Sequence, residues 1–125
     1  MNYPRPPAHI MPYIDALGVE TAVRFFLHFG GAELYIPRAP KGKSELVEEL
    51  GMEAALALSA LAERMVLPPR IPTAKPWLAR YMKVVEGYSV AKISRKLHSS
   101  DVAVRRWIAG MGDHRDEASN QLSLF

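Results

Sequence analysis

The sequence predicts a mainly α-helical chain, built as tandem helix, helix, short-strand units whose two short strands can pair, followed by a C-terminal helix-turn-helix. Three observations predict it. Apolar residues recur at helical spacing through residues 14–29 and 45–64. A phrase from the first of these stretches returns 33 residues later. From Thr73 onward, three short apolar stripes alternate with Gly and Ser punctuation.

Taken in order, residues 1–12 hold prolines at positions 4, 6, 7 and 12 and read as a flexible, extended or frayed arm. Ile14, Leu17, Ala22, Val23, Phe25, Phe26 and Phe29 form an apolar stripe that stops at Gly30-Gly31, with a break at Gly18. Residues 32–36 make a short strand-like run closed by Pro37, and residues 38–43 a loop. Ser44 then caps a second helical region that carries Glu45, Glu48 and Glu49 near the positive end of its dipole and runs to Arg64. Gly51 interrupts it.

The two regions repeat each other. Leu17-Gly18-Val19-Glu20-Thr21-Ala22 matches Leu50-Gly51-Met52-Glu53-Ala54-Ala55 at an offset of 33, and Pro37-Arg38-Ala39-Pro40 matches Pro69-Arg70-Ile71-Pro72 at an offset of 32. Residues 13–40 and 45–72 therefore read as two copies of one unit. Their strands are expected to pair about a pseudo-twofold axis, with Phe25, Phe26, Leu56, Leu58 and Leu61 between the helices. Pro68 is expected to shorten the second strand, because proline cannot donate to a ladder.

In residues 73–110, Pro76 suits a first helical turn, and Trp77, Leu78, Tyr81, Met82 and Val85 share a face until Gly87. Ser89 can cap a second helix with Val90, Ile93 and Leu97 inward, and Ser100 a third with Val104, Trp107 and Ile108 inward, ended by Gly110. Ser94 is the small residue where the two helices cross. The run from Ser89 to Ile108 resembles the helix-turn-helix of bacterial and phage DNA-binding proteins. It departs from that pattern at His98 and Ser99, which stand where Gly and an apolar residue are usual. His98 reads as a turn residue, since His tolerates a left-handed backbone better than most.

Charge and composition set the class of function. A length of 125 residues excludes a large two-domain enzyme, and the lack of cysteine excludes disulfides, thiolate zinc sites and Cys nucleophiles, which suits a reducing cytosol. No apolar run approaches a membrane span, and the N-terminus lacks a signal-peptide pattern, so a cytoplasmic, nucleoid-associated protein with no membrane partner is expected. The net charge of +3 is uneven. Residues 1–69 hold six Lys/Arg and eight Asp/Glu, residues 70–106 nine and two, and residues 107–125 one and three. The central +7 is the electrostatic footprint of a phosphate-binding module, and a solvated basic face is the alternative. The third helix would enter the major groove with Ser100, Asp101, Val102, Arg105 and Arg106 outward. Arginine pairs with guanine, aspartate accepts from cytosine, and valine touches a thymine methyl. Lys92, Arg95 and Lys96, with Lys75, Arg80 and Lys83, fall to phosphates. Double-stranded DNA is the expected partner.

The combination of Leu17-Gly18, Glu20, Ala22 and Phe29-Gly30-Gly31 with Leu34-Tyr35-Ile36-Pro37 and a C-terminal helix-turn-helix resembles the Mor/C family of transcription activators of Mu-like phages. The likeness covers residues 13–40 and 74–110. It implies an intertwined dimer through the N-terminal region, DNA binding through the C-terminal motif, and contact with RNA polymerase. The extra unit at residues 45–72 departs from the family pattern and leaves open a homodimer or a pseudo-symmetric monomer.

The chain ends in Gln121-Leu122-Ser123-Leu124-Phe125, which resembles the peptide by which bacterial replication proteins enter a cleft on the DNA polymerase sliding clamp. Docking of Leu122, Leu124 and Phe125 on the protein's own helices is the alternative. A clamp-binding protein that modulates or inhibits replication is thus the second reading of function. The histidines at 9, 28, 98 and 114 have no metal-ligand spacing, no phosphate-cradling loop opens a helix, and no nucleophile and base are paired, so neither a cofactor nor catalysis is expected.

Overall fold

The computed structural model describes residues 2–110, which form seven helices and no strand. They fall into two compact units, one spanning Pro7–Ala74 and the other combining residues 2–6 with residues 75–110.

In the Pro7–Ala74 unit, α1 (Met11–Leu17) and α2 (Val19–Phe29) meet at Gly18, and α3 (Glu45–Leu50) and α4 (Met52–Arg64) meet at Gly51. Both glycines adopt nearly the same backbone, φ 82° and ψ 156° at Gly18, φ 94° and ψ 160° at Gly51. That region is open essentially to glycine alone. Each glycine also donates its N–H back to the fourth residue before it, Ile14 or Val47, and accepts from Ala22 or Ala55 four residues on. One residue thus ends one helix and begins the next. The repeat seen in the sequence extends to burial: Ala22, Phe25 and Phe26 on α2 and their counterparts Ala55, Leu58 and Ser59 on α4 are all buried.

The core of this unit is aromatic. Tyr13 packs against Phe25 and Phe26 with ring centroids 5.6 and 5.5 Å apart, and Phe25 against Phe29 at 5.6 Å. Such pairs add about 0.5–1.5 kcal/mol beyond area burial. The Tyr13 hydroxyl is buried without a hydrogen-bond partner among the described residues, and that burial pushes its pKa up. On the unit's surface, the His28 ring lies between Glu45 at 2.9 Å and Glu49 at 3.3 Å, tying α2 to α3. Ser59, in the place Phe26 holds in the first copy, turns its hydroxyl to the carbonyls of Ala55 and Pro37.

Three expectations are corrected. The two strands reduce to one isolated antiparallel bridge between Glu33 and Arg70, with hydrogen bonds from Leu34 N–H to Pro69 O at 3.1 Å and Ile71 N–H to Ala32 O at 2.9 Å. Pro68 and Pro69 carry no N–H, so the ladder has no reciprocal donors beyond this point. Leu56, placed in the core from the sequence, is 51% exposed, because Ala55 and Leu58 take the inward positions of α4. Finally, residues 2–12 are not a frayed arm: Ile10 is fully buried, Met11 opens α1, and Pro12 sits in its first turn, where a missing N–H costs nothing. The start of that arm belongs to the other unit. There Pro4 and Pro6 are buried, Pro4 O accepts from Trp77 Nε1 at 2.8 Å, and Tyr3 meets the Trp77 ring edge-on at 6.4 Å.

The chain leaves α2 through Gly30, where a Cβ would lie 2.4 Å from Phe26 O and 3.0 Å from Pro72 O. Only glycine lets the residues before α5 approach so closely, which gives a packing reason for the Gly30-Gly31 pair.

In the second unit, α5 (Lys75–Val84) packs on both α6 (Val90–Leu97) and α7 (Asp101–Ala109). Its buried face holds Trp77, Leu78, Tyr81 and Met82 as the sequence predicts and adds Ala79, while Val85, just past the helix, is 45% exposed. Among the described residues no helix is long and apolar enough to cross a membrane. Residues 121–125, with the clamp-like peptide, lie outside the described residues.

Two substitutions test this account. Tyr13→Phe removes an unsatisfied buried hydroxyl and keeps the ring, so it should leave stability unchanged or raise it by up to about 1 kcal/mol in urea unfolding. Gly51→Ala meets no neighbouring atom, and its cost is backbone strain alone. It should destabilise by about 1–3 kcal/mol, and a neutral result would refute the assignment of Gly51 as an obligate break.

Candidate nucleic-acid interface

The geometry of α6 and α7 follows from local sequence chemistry. Ser89 Oγ accepts from Lys92 N–H at 3.2 Å and Ser100 Oγ from Ala103 N–H at 3.1 Å, so each helix begins with a side-chain cap. Between them His98 adopts the left-handed conformation, φ 52° and ψ 48°. Its neighbour Ser99 donates its N–H to Ser94 O at 3.0 Å, which closes the end of α6 and sends the chain into α7. Ile93, Leu97 and Val104 are buried and fix the two helices, and Ser94 is buried with its hydroxyl turned to Val90 O at 2.9 Å. A larger side chain at Ser94 would have to displace one of these neighbours.

That scaffold leaves the residues of α6 and α7 assigned to DNA from the sequence on the surface. Ser100, Asp101, Val102, Arg105 and Arg106 of α7 are exposed, as are Lys92, Arg95 and Lys96 of α6. Val102 is 69% exposed, an apolar side chain left to solvent on a helix whose inward face is already filled. Ser100 has a second duty as the cap of α7, which occupies its oxygen as an acceptor and leaves its one hydroxyl proton as a donor.

The arrangement draws these residues into three groups. Arg95 and Asp101, from different helices, line a shallow hollow with Ala91, Ser94, His98 and Ser99 at the turn. Arg105 reaches toward Asp101 one turn back, at 3.9 Å. At that exposure such a pair contributes little to stability, roughly 0.3–0.5 kcal/mol, so Arg105 gives up little by exchanging Asp101 for another anion. Lys92 and Lys96 both turn to the ring of Tyr88, 3.9 and 5.6 Å from its centroid.

Arg80, expected at a phosphate, is corrected. Its Nε donates to Trp107 O at 2.8 Å, and a Cβ on Gly110 would lie 2.7 Å from its Nη2. The guanidinium serves the negative end of α7, a capping role that removes one cation from the candidate contact set. Lys83 is exposed and Lys75 half-buried.

Sequence reasoning missed Tyr88. Its place directly before the Ser89 cap, four residues ahead of Lys92 and eight ahead of Lys96, was a usable signal, since the residue before a helix cap lies against the first turn of that helix. The Glu86 carboxylate beside it raises the Tyr88 pKa by its charge, with smaller contributions from desolvation and from a hydrogen bond, so the hydroxyl stays protonated at neutral pH.

A further concavity, about 820 Å³, belongs to the Pro7–Ala74 unit and is lined by residues 33–36 and 62–69. Its two carboxylates pair with arginines, Glu33 with Arg70 at 3.5 Å and Glu63 with Arg38 at 4.0 Å. Among the described residues no group of three or more His, Asp or Glu side chains is placed to hold a metal ion. No protein-family model, curated protein or solved structure matches the chain.

Proposed function

We propose that this chain is a sequence-specific DNA-binding transcriptional regulator of phage or mobile-element origin, related to the Mor/C activators, which lays α7 of a helix-turn-helix in the major groove. It acts by binding and performs no catalysis. The observation that carries this reading is the exposed surface of α6 and α7, which carries Lys92, Arg95, Lys96, Arg105 and Arg106 together with an exposed Val102. Of these five cations only Arg105 has a carboxylate partner among the described residues. Unpaired cations on two short helices raise the local potential and favour a polyanion, and release of its counterions supplies affinity. An exposed valine beside two arginines adds what a nonspecific basic face lacks, an apolar contact for a thymine methyl next to donors for guanine.

Phosphate and base contacts separate by helix in this reading. Lys92, Arg95 and Lys96 neutralise phosphates and set the register, while Asp101, Val102, Arg105 and Arg106 read base edges. The N-terminal unit, with its two glycine-broken helix pairs, takes the place of the dimerisation region. It forms a homodimer or satisfies itself as a pseudo-symmetric monomer, and RNA polymerase is the further partner that the Mor/C likeness brings.

Arg106→Ala should cost about 1–3 kcal/mol on the cognate site and relax preference at one base pair, whereas Lys96→Ala should weaken all duplexes alike and reduce the salt slope by about 1. Fluorescence anisotropy on duplexes from upstream of the chain's own gene and on random duplexes, at two salt concentrations, reads both. Equal affinity for all sequences in wild type and both variants would defeat sequence-specific reading.

The pentapeptide at 121–125 favours a second reading, a protein that binds the replication clamp and modulates or inhibits replication. Removing residues 121–125 should abolish retention on immobilised clamp and leave the melting temperature unchanged. A lowered melting temperature, with no retention of the full chain, would instead assign the peptide to the protein's own body.

A further inference from the structure

Tyr88 lies just before Ser89, the cap of α6, and its backbone is held on the other side by a hydrogen bond from its N–H to Met82 O at 3.1 Å. The backbone that carries the ring is therefore held at the α5 end and the α6 start at once. Above it stand two ammonium groups, Lys92 Nζ at 3.9 Å from the centroid and Lys96 Nζ at 5.6 Å, both within the roughly 6 Å over which a cation is attracted to an aromatic face.

Part of this arrangement runs against helix electrostatics. Like charges four residues apart repel, and Lys92 in the first turn of α6 opposes its dipole, whereas Arg95 and Lys96 lie in the last turn and complement it. α6 nonetheless has no acidic residue in its first turn and three cations among its eight residues, none with a carboxylate partner among the described residues. The face of the Tyr88 ring is the feature that offsets the repulsion. A flexible lysine also loses several rotatable bonds when it binds an anion, and a side chain already held by the ring has lost part of that freedom beforehand.

Resting on the DNA-binding reading above, we propose that Tyr88 is a positioning residue which gathers Lys92 and Lys96 into a two-point clamp for the sugar-phosphate backbone. The ring holds the lysine stems over one spot of α6 while each ammonium keeps donors for phosphate oxygens. Tyr88 itself supplies the π-face and not its hydroxyl, which is turned to Glu86.

The test is a double-mutant cycle on the full chain with a mixed-sequence duplex as probe, over a series of salt concentrations. Tyr88→Phe keeps the ring and should bind as wild type. Tyr88→Leu keeps apolar bulk without the π-face, and should weaken binding about two- to fivefold and flatten the salt slope by up to about 1. Placed on a Lys92→Ala/Lys96→Ala background, Tyr88→Leu should have no further effect. Wild-type affinity in Tyr88→Leu, with the double lysine variant weakened, would overturn the clamp and leave DNA binding standing. So would a full loss from Tyr88→Leu on the lysine-free background, which would make Tyr88 a direct contact. If wild type binds no duplex at any salt, the DNA-binding reading itself falls, and the clamp with it.

Discussion

The candidate interface depends on one backbone constraint, the left-handed turn at His98. Its positive φ reverses the chain between α6 and α7, with the N–H of Ser99 bonded to Ser94 O. Everything outward on α7 follows from the angle this sets. Val104 is driven inward against Ile93 and Leu97, and Asp101, Val102, Arg105 and Arg106 are left on the surface by helical periodicity. A positive φ at a non-glycine residue is uncommon, and His98 and Ala74 are the two described non-glycine residues that have one. His98 is tolerated because burial of Ile93, Leu97 and Val104 outweighs the local strain.

The Pro7–Ala74 unit rests on a different constraint, the glycine break. Gly18 and Gly51 divide two helical stripes at equivalent places with the same backbone geometry. The repeat is not carried through in packing. Phe26 on α2 has Ser59 as its counterpart on α4, so an aromatic cluster in one copy faces a hydroxyl bonded to carbonyls in the other. Two copies of one sequence pattern can thus share a backbone plan while one alone supplies the aromatic core.

Local chemistry made much of this legible. Ser44, Ser89 and Ser100 each cap a helix as their sequence context predicts, because capping needs only a hydroxyl two or three residues from an unsatisfied N–H. Periodicity placed Phe25, Phe26, Leu58, Trp77 and Ile93 inside. Two other elements were misjudged, each through a nonlocal cause. A strand needs a partner of matching register, and Pro68 and Pro69 reduced that pairing to a bridge. Residues 2–6 and Ile10 looked frayed since their partners, Trp77 among them, are distant in sequence.

For the candidate site, the sequence by itself determined the inventory: a basic segment poor in acids, two serine-capped helices, and the outward positions on the second. Those follow from residue type and a 3.6-residue period, which are local properties. Only the tertiary structure decided how the cations divide. It committed Arg80 to the carbonyl end of α7, set Arg105 near Asp101, and brought Lys92 and Lys96 over the Tyr88 ring. Side-chain partners depend on which helix ends and rings lie within a few ångströms, and that distance is fixed by packing between helices, not by the order of residues along one of them.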